Sequence, residues 1–270
     1  MAMPSGAPNW RTYDGVADIY GRVDAAVFLA PARDLVAMIT PARGGRVLDI
    51  GTGTGCGAAA AAEMVGARGM VTGIDLSMDM LRVARGRGVL SLVRGDAMRL
   101  PFGDNAFQAV MASFVLSHFR SVAALAEIVR VIAPGGRFGA TAWGPTKTEA
   151  GELWRDVAQH FLAGELLDRA TAECVPSEEF LSDPGNLCRA LEGSGLRDVR
   201  VHRRQYPVTL SHDDYLSGRE TSAAARFLRQ ALDEASWARV RERLATSFRA
   251  RYPDPLRYTN DVLIGTGMRC

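Results

Sequence analysis

Three short stations hold the residues of this chain best suited to chemistry. The first is Val47-Leu48-Asp49-Ile50-Gly51-Thr52-Gly53-Thr54-Gly55-Cys56-Gly57, followed by the alanine run 58–62. An apolar run ends in a carboxylate, glycines alternate with small residues, and a helix former then takes over, which reads as strand, tight turn and helix. Glycine has no Cβ, so the backbone can turn sharply and lie against a ligand. The following helix offers unpaired N–H groups and the positive end of its dipole. The second station, Met70-Val71-Thr72-Gly73-Ile74-Asp75, is a strand ending in an acid that lies 22 residues past Gly53. Near that separation a carboxylate can accept hydrogen bonds from both ribose hydroxyls. Asp75 or Ser77 can also cap the helix read from Met78 to Arg85, and the two roles are compatible. The third station runs from Leu92 to Phe102, its strand ending at Gly95-Asp96 and Pro101 stopping further regular structure. Asp96 can accept from an exocyclic adenine amine, the Ala97 amide can donate to a ring nitrogen, and Leu76 can cover the adenine face.

The elements that must position these residues follow from the pattern. Residues 1 to about 9 read as a frayed start, with Pro4, Ser5, Gly6 and Pro8. Tyr13 to Met38 carries helical patterning broken by Pro31. Strands and helices alternate from Arg46 to Ala142, which predicts a parallel, doubly wound sheet. Helices are expected over about Thr148–Glu165, over Asn186–Gly193 and through residues 213–250. Asp198 to Leu210 reads as a long strand bounded by Pro207, and Tyr258 to Gly265 as the last strand.

Composition narrows the class. The chain of 270 residues can bury one sizeable core, and its net charge of +2 with 23% charged residues is that of an ordinary soluble protein. No polybasic block or basic stripe with interleaved aromatics points to nucleic acid. The four cysteines are widely separated, without C-x-x-C or His/Cys metal spacing, so no metal is expected and a reduced, cytoplasmic setting is. No signal peptide and no spanning apolar run is read, hence no membrane association.

Taken together, the stations resemble those of the class I S-adenosylmethionine-dependent methyltransferases, in particular the small-molecule branch related to the ubiquinone and menaquinone enzymes. Further matches are Leu100-Pro101-Phe102-Gly103-Asp104-Asn105-Ala106-Phe107 before the fourth strand and Ala133-Pro134-Gly135-Gly136-Arg137-Phe138 before the fifth. The likeness is strong from about Arg46 to Trp143 and weak beyond. It departs at Gln108, where relatives usually carry Asp, a position not expected to do chemistry. The resemblance implies a seven-stranded, mostly parallel Rossmann-like sheet whose final two strands form an antiparallel edge. Helical segments at about 10–38, 144–182 and 211–252 would form a lid or cap on a single methyltransferase domain. It also implies that Asp49 helps hold the methionine end of the cofactor, that the turn Gly51, Thr52, Gly53 and Gly55 lies under it, that Asp75 binds ribose, and that Asp96 meets adenine with Ala97 and Leu76. Ser113 follows the fourth strand, where relatives contact the methionine end, and Tyr20 lies where relatives carry a lid.

His118 is the candidate base or acceptor-orienting group, because its unperturbed pKa lies near neutrality; a packing or cofactor-pocket histidine is the alternative. Trp143, Trp154 and Phe161 can line the acceptor pocket, although the helical spacing of the last two fits a core stripe better. The segment Ala112-Ser113-Phe114-Val115 lacks the Asn/Asp-Pro-Pro-Tyr of enzymes that methylate exocyclic amines of nucleic acids, and Ser113 offers no carboxylate for a catechol-type metal. A small organic acceptor with an O, N or C nucleophile is therefore expected, the pathway being one of bacterial specialised metabolism. Three other readings stay open at this point. One is a nicotinamide-dependent oxidoreductase, since Gly53-Thr54-Gly55-Cys56-Gly57-Ala58 fits G-x-G-x-x-A. The others are a cyclase that retains S-adenosylmethionine and a non-enzymatic cofactor-binding subunit.

Overall fold

The computed structural model describes residues 10–120 and 123–270; the frayed start read over residues 1–9 lies outside them. Seven strands form one sheet: β1 (Arg46–Ile50), β2 (Met70–Asp75), β3 (Ser91–Arg94), β4 (Phe107–Ser113), β5 (Ile132–Trp143), β6 (Arg197–Leu210) and β7 (Leu256–Met268). Their order is β3-β2-β1-β4-β5-β7-β6. β1 to β5 are parallel, and β7 runs antiparallel to β5 and β6. The helices are α1 (Ala17–Ile39), α2 (Cys56–Val65), α3 (Met78–Gly86), α4 (Ala123–Val131), α5 (Glu149–Ala158), α6 (Gly164–Cys174), α7 (Glu178–Leu181), α8 (Pro184–Gly193), α9 (His212–Arg219), α10 (Ala223–Ala231) and α11 (Glu234–Arg251).

The central strands are covered on both faces, which is why they read as continuous apolar runs rather than alternating ones. Leu48, Ile50, Val110 and Phe138 pack with Ile128 of α4 and Leu187 and Leu191 of α8. On the other face Val47, Ala109, Met111 and Ile264 meet Leu35 and Ile39 of α1 and Ala60 and Ala61 of α2. A separate cluster of Trp154, Leu167, Tyr215, Leu228, Trp237 and Phe248 joins α5, α6 and α9–α11. Trp154 is buried there, so the stripe it shares with Phe161 is core.

Three boundaries differ from the sequence reading. α1 runs unbroken through Pro31. A helix-interior proline costs about 3 kcal/mol, and here the buried Ala32, Leu35, Val36 and Ile39 anchor the turns that follow it. Pro207 lies inside β6, paired with Thr259, rather than bounding the strand. β6 is an edge strand, where a missing N–H need not break the ladder. The helix expected over 148–165 ends at Ala158, and a separate helix, α6, begins at Gly164.

Candidate active site

The site lies at the carboxyl ends of β1, β2 and β4. The turn after β1 closes with Thr52 N–H donating to Ile74 O (3.0 Å) and Gly55 N–H to Thr52 O (2.9 Å). Gly51 adopts φ +63°, and a Cβ there would lie 2.4 Å from Val115 Cγ2. Gly53, at φ +53°, meets nothing nearer than Gly51 O at 3.9 Å, so its open side faces free space. Gly55 is the N-cap residue of α2.

Beside this turn is a recess lined by Tyr20, Asp49, Gly51, Thr52, Gly53 and Ser113 of the expected residues, and by Asp24, Phe28, Cys56 and Phe114 besides. Asp49 is its most informative member. The side chain is buried; Oδ2 accepts from Thr52 Oγ1 (2.8 Å), while Oδ1 has no hydrogen-bond partner. Burial pushes its carboxyl up to about 7, against the lowering effect of Thr52 and the Ala58 amide. A buried carboxylate oxygen without a donor is costly, and a cationic group is the partner that relieves it. Cys56 is not a nucleophile here: burial, with Asp24 alongside, pushes its thiol up to about 12.

Asp75 sits outside the recess but is tied to it. Its Oδ2 accepts from Gly53 N–H (2.9 Å) and its Oδ1 from Ser77 N–H (2.9 Å). Burial raises its pKa while these amides oppose the shift. Ser77, not Asp75, caps α3, accepting from Met80 N–H at 3.2 Å. The third station adjoins it: Gly95 N–H donates to Asp75 O (3.0 Å) and Arg94 Nε to Leu76 O (3.1 Å). Asp96 Oδ1 accepts from Met98 N–H (2.8 Å), Ala97 is half-buried, and the apolar Leu76 is 63% exposed beside the two acids. Asp75, Leu76, Asp96 and Ala97 thus form a second group next to the recess rather than part of its lining.

One face of α1 roofs the recess through Tyr20, Asp24 and Phe28, spaced by four. Asp24 is buried and doubly bonded to Arg87 of the α3 C-cap, at 2.6 and 2.9 Å, and it also accepts from Thr54 Oγ1 of the glycine turn. Arg87 also reaches Gly21 O, so it clamps α1 to the turn. The sequence reading missed Asp24, Phe28, Arg87 and Phe114. The four-residue spacing of Tyr20, Asp24 and Phe28 was the available signal, since it places an acid on a helix face otherwise aromatic or small. Nothing in the sequence marks Arg87.

Phe114 takes a left-handed backbone, φ 54°, at a cost of about 1–2 kcal/mol for a residue with a Cβ. Its N–H donates to Thr141 O (3.1 Å) and Thr141 Oγ1 (3.0 Å), and its ring packs on Trp143 (4.3 Å) and Phe28 (5.2 Å). Ser113 Oγ lies 3.1 Å from the same threonine hydroxyl. Such strain persists where the surroundings over-determine it, commonly at functional sites.

His118 ends a 3₁₀ turn, Leu116–His118, after β4 and does not line the recess. Its Nδ1 lies 3.0 Å from Cys174 O. A carbonyl oxygen only accepts, so Nδ1 carries the proton and Nε2 keeps its lone pair. Burial lowers its pKa. The Tyr13 ring stands edge-on at 5.7 Å and connects through Tyr20 (6.0 Å) to the recess.

A family profile described as a methyltransferase domain matches residues 47–136. The demethylmenaquinone methyltransferase of Geobacillus kaustophilus (strain HTA426) is 36% identical over 222 residues, covering 76% of this chain and 95% of that protein. The chain belongs to the S-adenosylmethionine-dependent methyltransferases. The aklanonic acid methyltransferase of Streptomyces sp. (strain C5) is 31% identical over 211 residues, covering 70% of this methyltransferase and 92% of its relative. In fold, the chain is similar to a Haemonchus contortus phosphoethanolamine N-methyltransferase 2 solved with S-adenosylhomocysteine, at TM-score 0.58 and 17% identity over 97% of this chain and 60% of that one. The sheet order also separates this methyltransferase from dinucleotide-binding oxidoreductases of order 3-2-1-4-5-6, because the antiparallel β7 lies between β5 and β6. The nicotinamide reading of the glycine pattern is thereby set aside. S-adenosylmethionine fits the recess on chemical grounds: its methionine end carries an ammonium group, and the buried Asp49 Oδ1 lacks such a partner.

Proposed function

We propose that this methyltransferase acts on a nucleophilic atom of a small organic molecule, with His118 as the base that takes the acceptor's proton. The observation that carries this reading is the His118 tautomer, whose Nδ1–H is held by Cys174 O, leaving the Nε2 lone pair to take a proton, with the Tyr13 ring beside the imidazole. The relatives support a small acceptor, since their names refer to demethylmenaquinone and aklanonic acid.

In this reading Asp49 holds the cofactor's ammonium group, and the backbone of Gly51, Thr52, Gly53 and Gly55 lies beneath it. Ser113 and Tyr20 flank the methionine end. Asp75 receives the ribose, and Asp96, Ala97 and Leu76 receive adenine. When bound, S-adenosylmethionine supplies a methyl group activated by its sulfonium. The remaining tasks of the chain are to align the acceptor, exclude water and remove a proton where the nucleophile carries one. Tyr20, Phe28, Phe114 and Trp143 supply the dry wall. All of α1 except Ile39, with α5–α7 and α9–α11, falls within the ranges 10–38, 144–182 and 211–252, and we assign these ranges to a lid or cap on a single domain spanning 1–270. Among the described residues no helix is long and apolar enough to cross a membrane. All four cysteines are free, which supports a cytoplasmic setting, and no nucleic-acid or membrane partner is part of this reading.

His118→Asn tests the base. The amide can still donate to Cys174 O, so cofactor affinity should hold while turnover falls by roughly 10²–10⁴-fold. Because burial lowers the His118 pKa from 6.5, the acid limb of kcat should lie below that pH and vanish in the variant. Turnover unchanged at saturation with weakened cofactor binding would move His118 to the binding site.

A further inference from the structure

Arg226 of α10 is a buried guanidinium, 7% exposed, for which no ion pair with a carboxylate is formed among the described residues. Its Nε donates to Trp10 O (2.7 Å) and its Nη1 to Thr221 O, both neutral carbonyls. Nη2 is buried and has no well-formed hydrogen bond among the described residues, although the Tyr13 hydroxyl and the Cys174 thiol lie beside the guanidinium. One flat face lies on the Tyr13 ring, 4.3 Å from its centroid. That same ring stands against His118 at 5.7 Å and against Tyr20, which lines the cofactor recess. Nearby Glu173 is engaged with Arg11.

A buried cation is ordinarily paired, and an unpaired one is retained at a cost in stability. The stacked face is occupied by Tyr13, but the edge that carries Nη2 has donors to spare, and a guanidinium edge recognises planar anions. The unpaired charge sits one ring away from the proposed base. Resting on the methyltransferase reading of that site, we propose that Arg226 is the specificity-determining anchor for an acidic acceptor. It takes a carboxylate, or an equally planar oxyanion, of the small molecule and sets the rest of that molecule against His118. Neutral acceptors of the same shape are then disfavoured, because they leave the guanidinium unpaired.

The test uses the full chain, both free and loaded with S-adenosylhomocysteine, titrated with benzoate and with its neutral isostere benzamide. Benzoate should bind at least about tenfold more tightly. Arg226→Gln should abolish that preference, and Arg226→Lys, which keeps the charge but not the planar edge, should retain part of it. In the wild-type protein the Arg226 Nε–H resonance should move with benzoate and not with benzamide, a readout that does not depend on the variants folding. Equal binding of the two probes, no binding of benzoate, or an unmoved resonance would overturn the proposal. Titration with S-adenosylhomocysteine alone separates the two claims. If it fails to bind while benzoate is still preferred, the cofactor reading falls and the anion site stands.

Discussion

Asp49→Asn is expected to weaken S-adenosylmethionine binding at pH 8 by about 10–100-fold, the worth of a charge-assisted hydrogen bond of roughly 1.5–3 kcal/mol. It should act in the opposite sense on the pH dependence of the free protein. The folded-state pKa of Asp49 is pushed up to about 7, above the ordinary carboxylate value of 3.8. The fold therefore binds this proton more tightly than the unfolded chain does. The group's contribution to stability is fully present below the unfolded pKa and is lost as pH rises through about 7. Relative to Asp49→Asn, whose neutral amide has no such dependence, the wild-type protein should lose stability as pH rises from about 4 to about 7 and level off above that. Cofactor binding at pH 6 should also release a proton that is absent at pH 8 and absent in the variant. Calorimetry in buffers of different ionisation enthalpy reads that proton. Equal proton release by wild type and variant would remove Asp49 from the ammonium site.

Arg87→Ala should have the largest effect on stability. Asp24 is 1% exposed, and two of its hydrogen bonds come from Arg87, so the substitution leaves a buried carboxylate without its counter-ion. Breaking a buried pair from one side costs roughly 3–5 kcal/mol. Arg87 is 31% exposed, so water can partly replace it, and about 3 kcal/mol is expected. Urea unfolding measures this directly. The double variant Asp24→Leu/Arg87→Met should recover most of the loss, because both charges go together. A loss below about 1 kcal/mol for Arg87→Ala would place the pair with ordinary surface ion pairs, and the clamp between α1 and the glycine turn would then not exist.

The sheet was legible because its strands announce their own ends. β1, β2 and β3 stop at or beside Asp49, Asp75 and Gly95-Asp96, where the chain turns toward the site, and the period changes from strand to helix at each turn. The glycine turn and the acids that end β1 and β2 were legible for the same reason, since local backbone demands select their residue types. What was not legible depends on contacts between distant segments. Asp24 and Arg87 are 63 positions apart, and each alone reads as a polar residue on a helix. Arg226 sits in an Ala-Ala-Ala-Arg-Phe-Leu-Arg stretch that reads only as cap helix, and its burial involves the distant Trp10 and Tyr13. Phe114 follows β4 in an apolar run, and nothing local betrays its positive φ. Pro31 and Pro207 misled in the opposite direction, because each is tolerated by surroundings that the local sequence does not show.

The most direct measurement is a calorimetric titration of the wild-type protein with S-adenosylmethionine and, separately, with NADH. Micromolar binding of S-adenosylmethionine with no binding of NADH is the predicted result. Binding of NADH in its place would contradict the roles given to Asp49 and Asp96, and with them the assignment of the recess to a methyl donor.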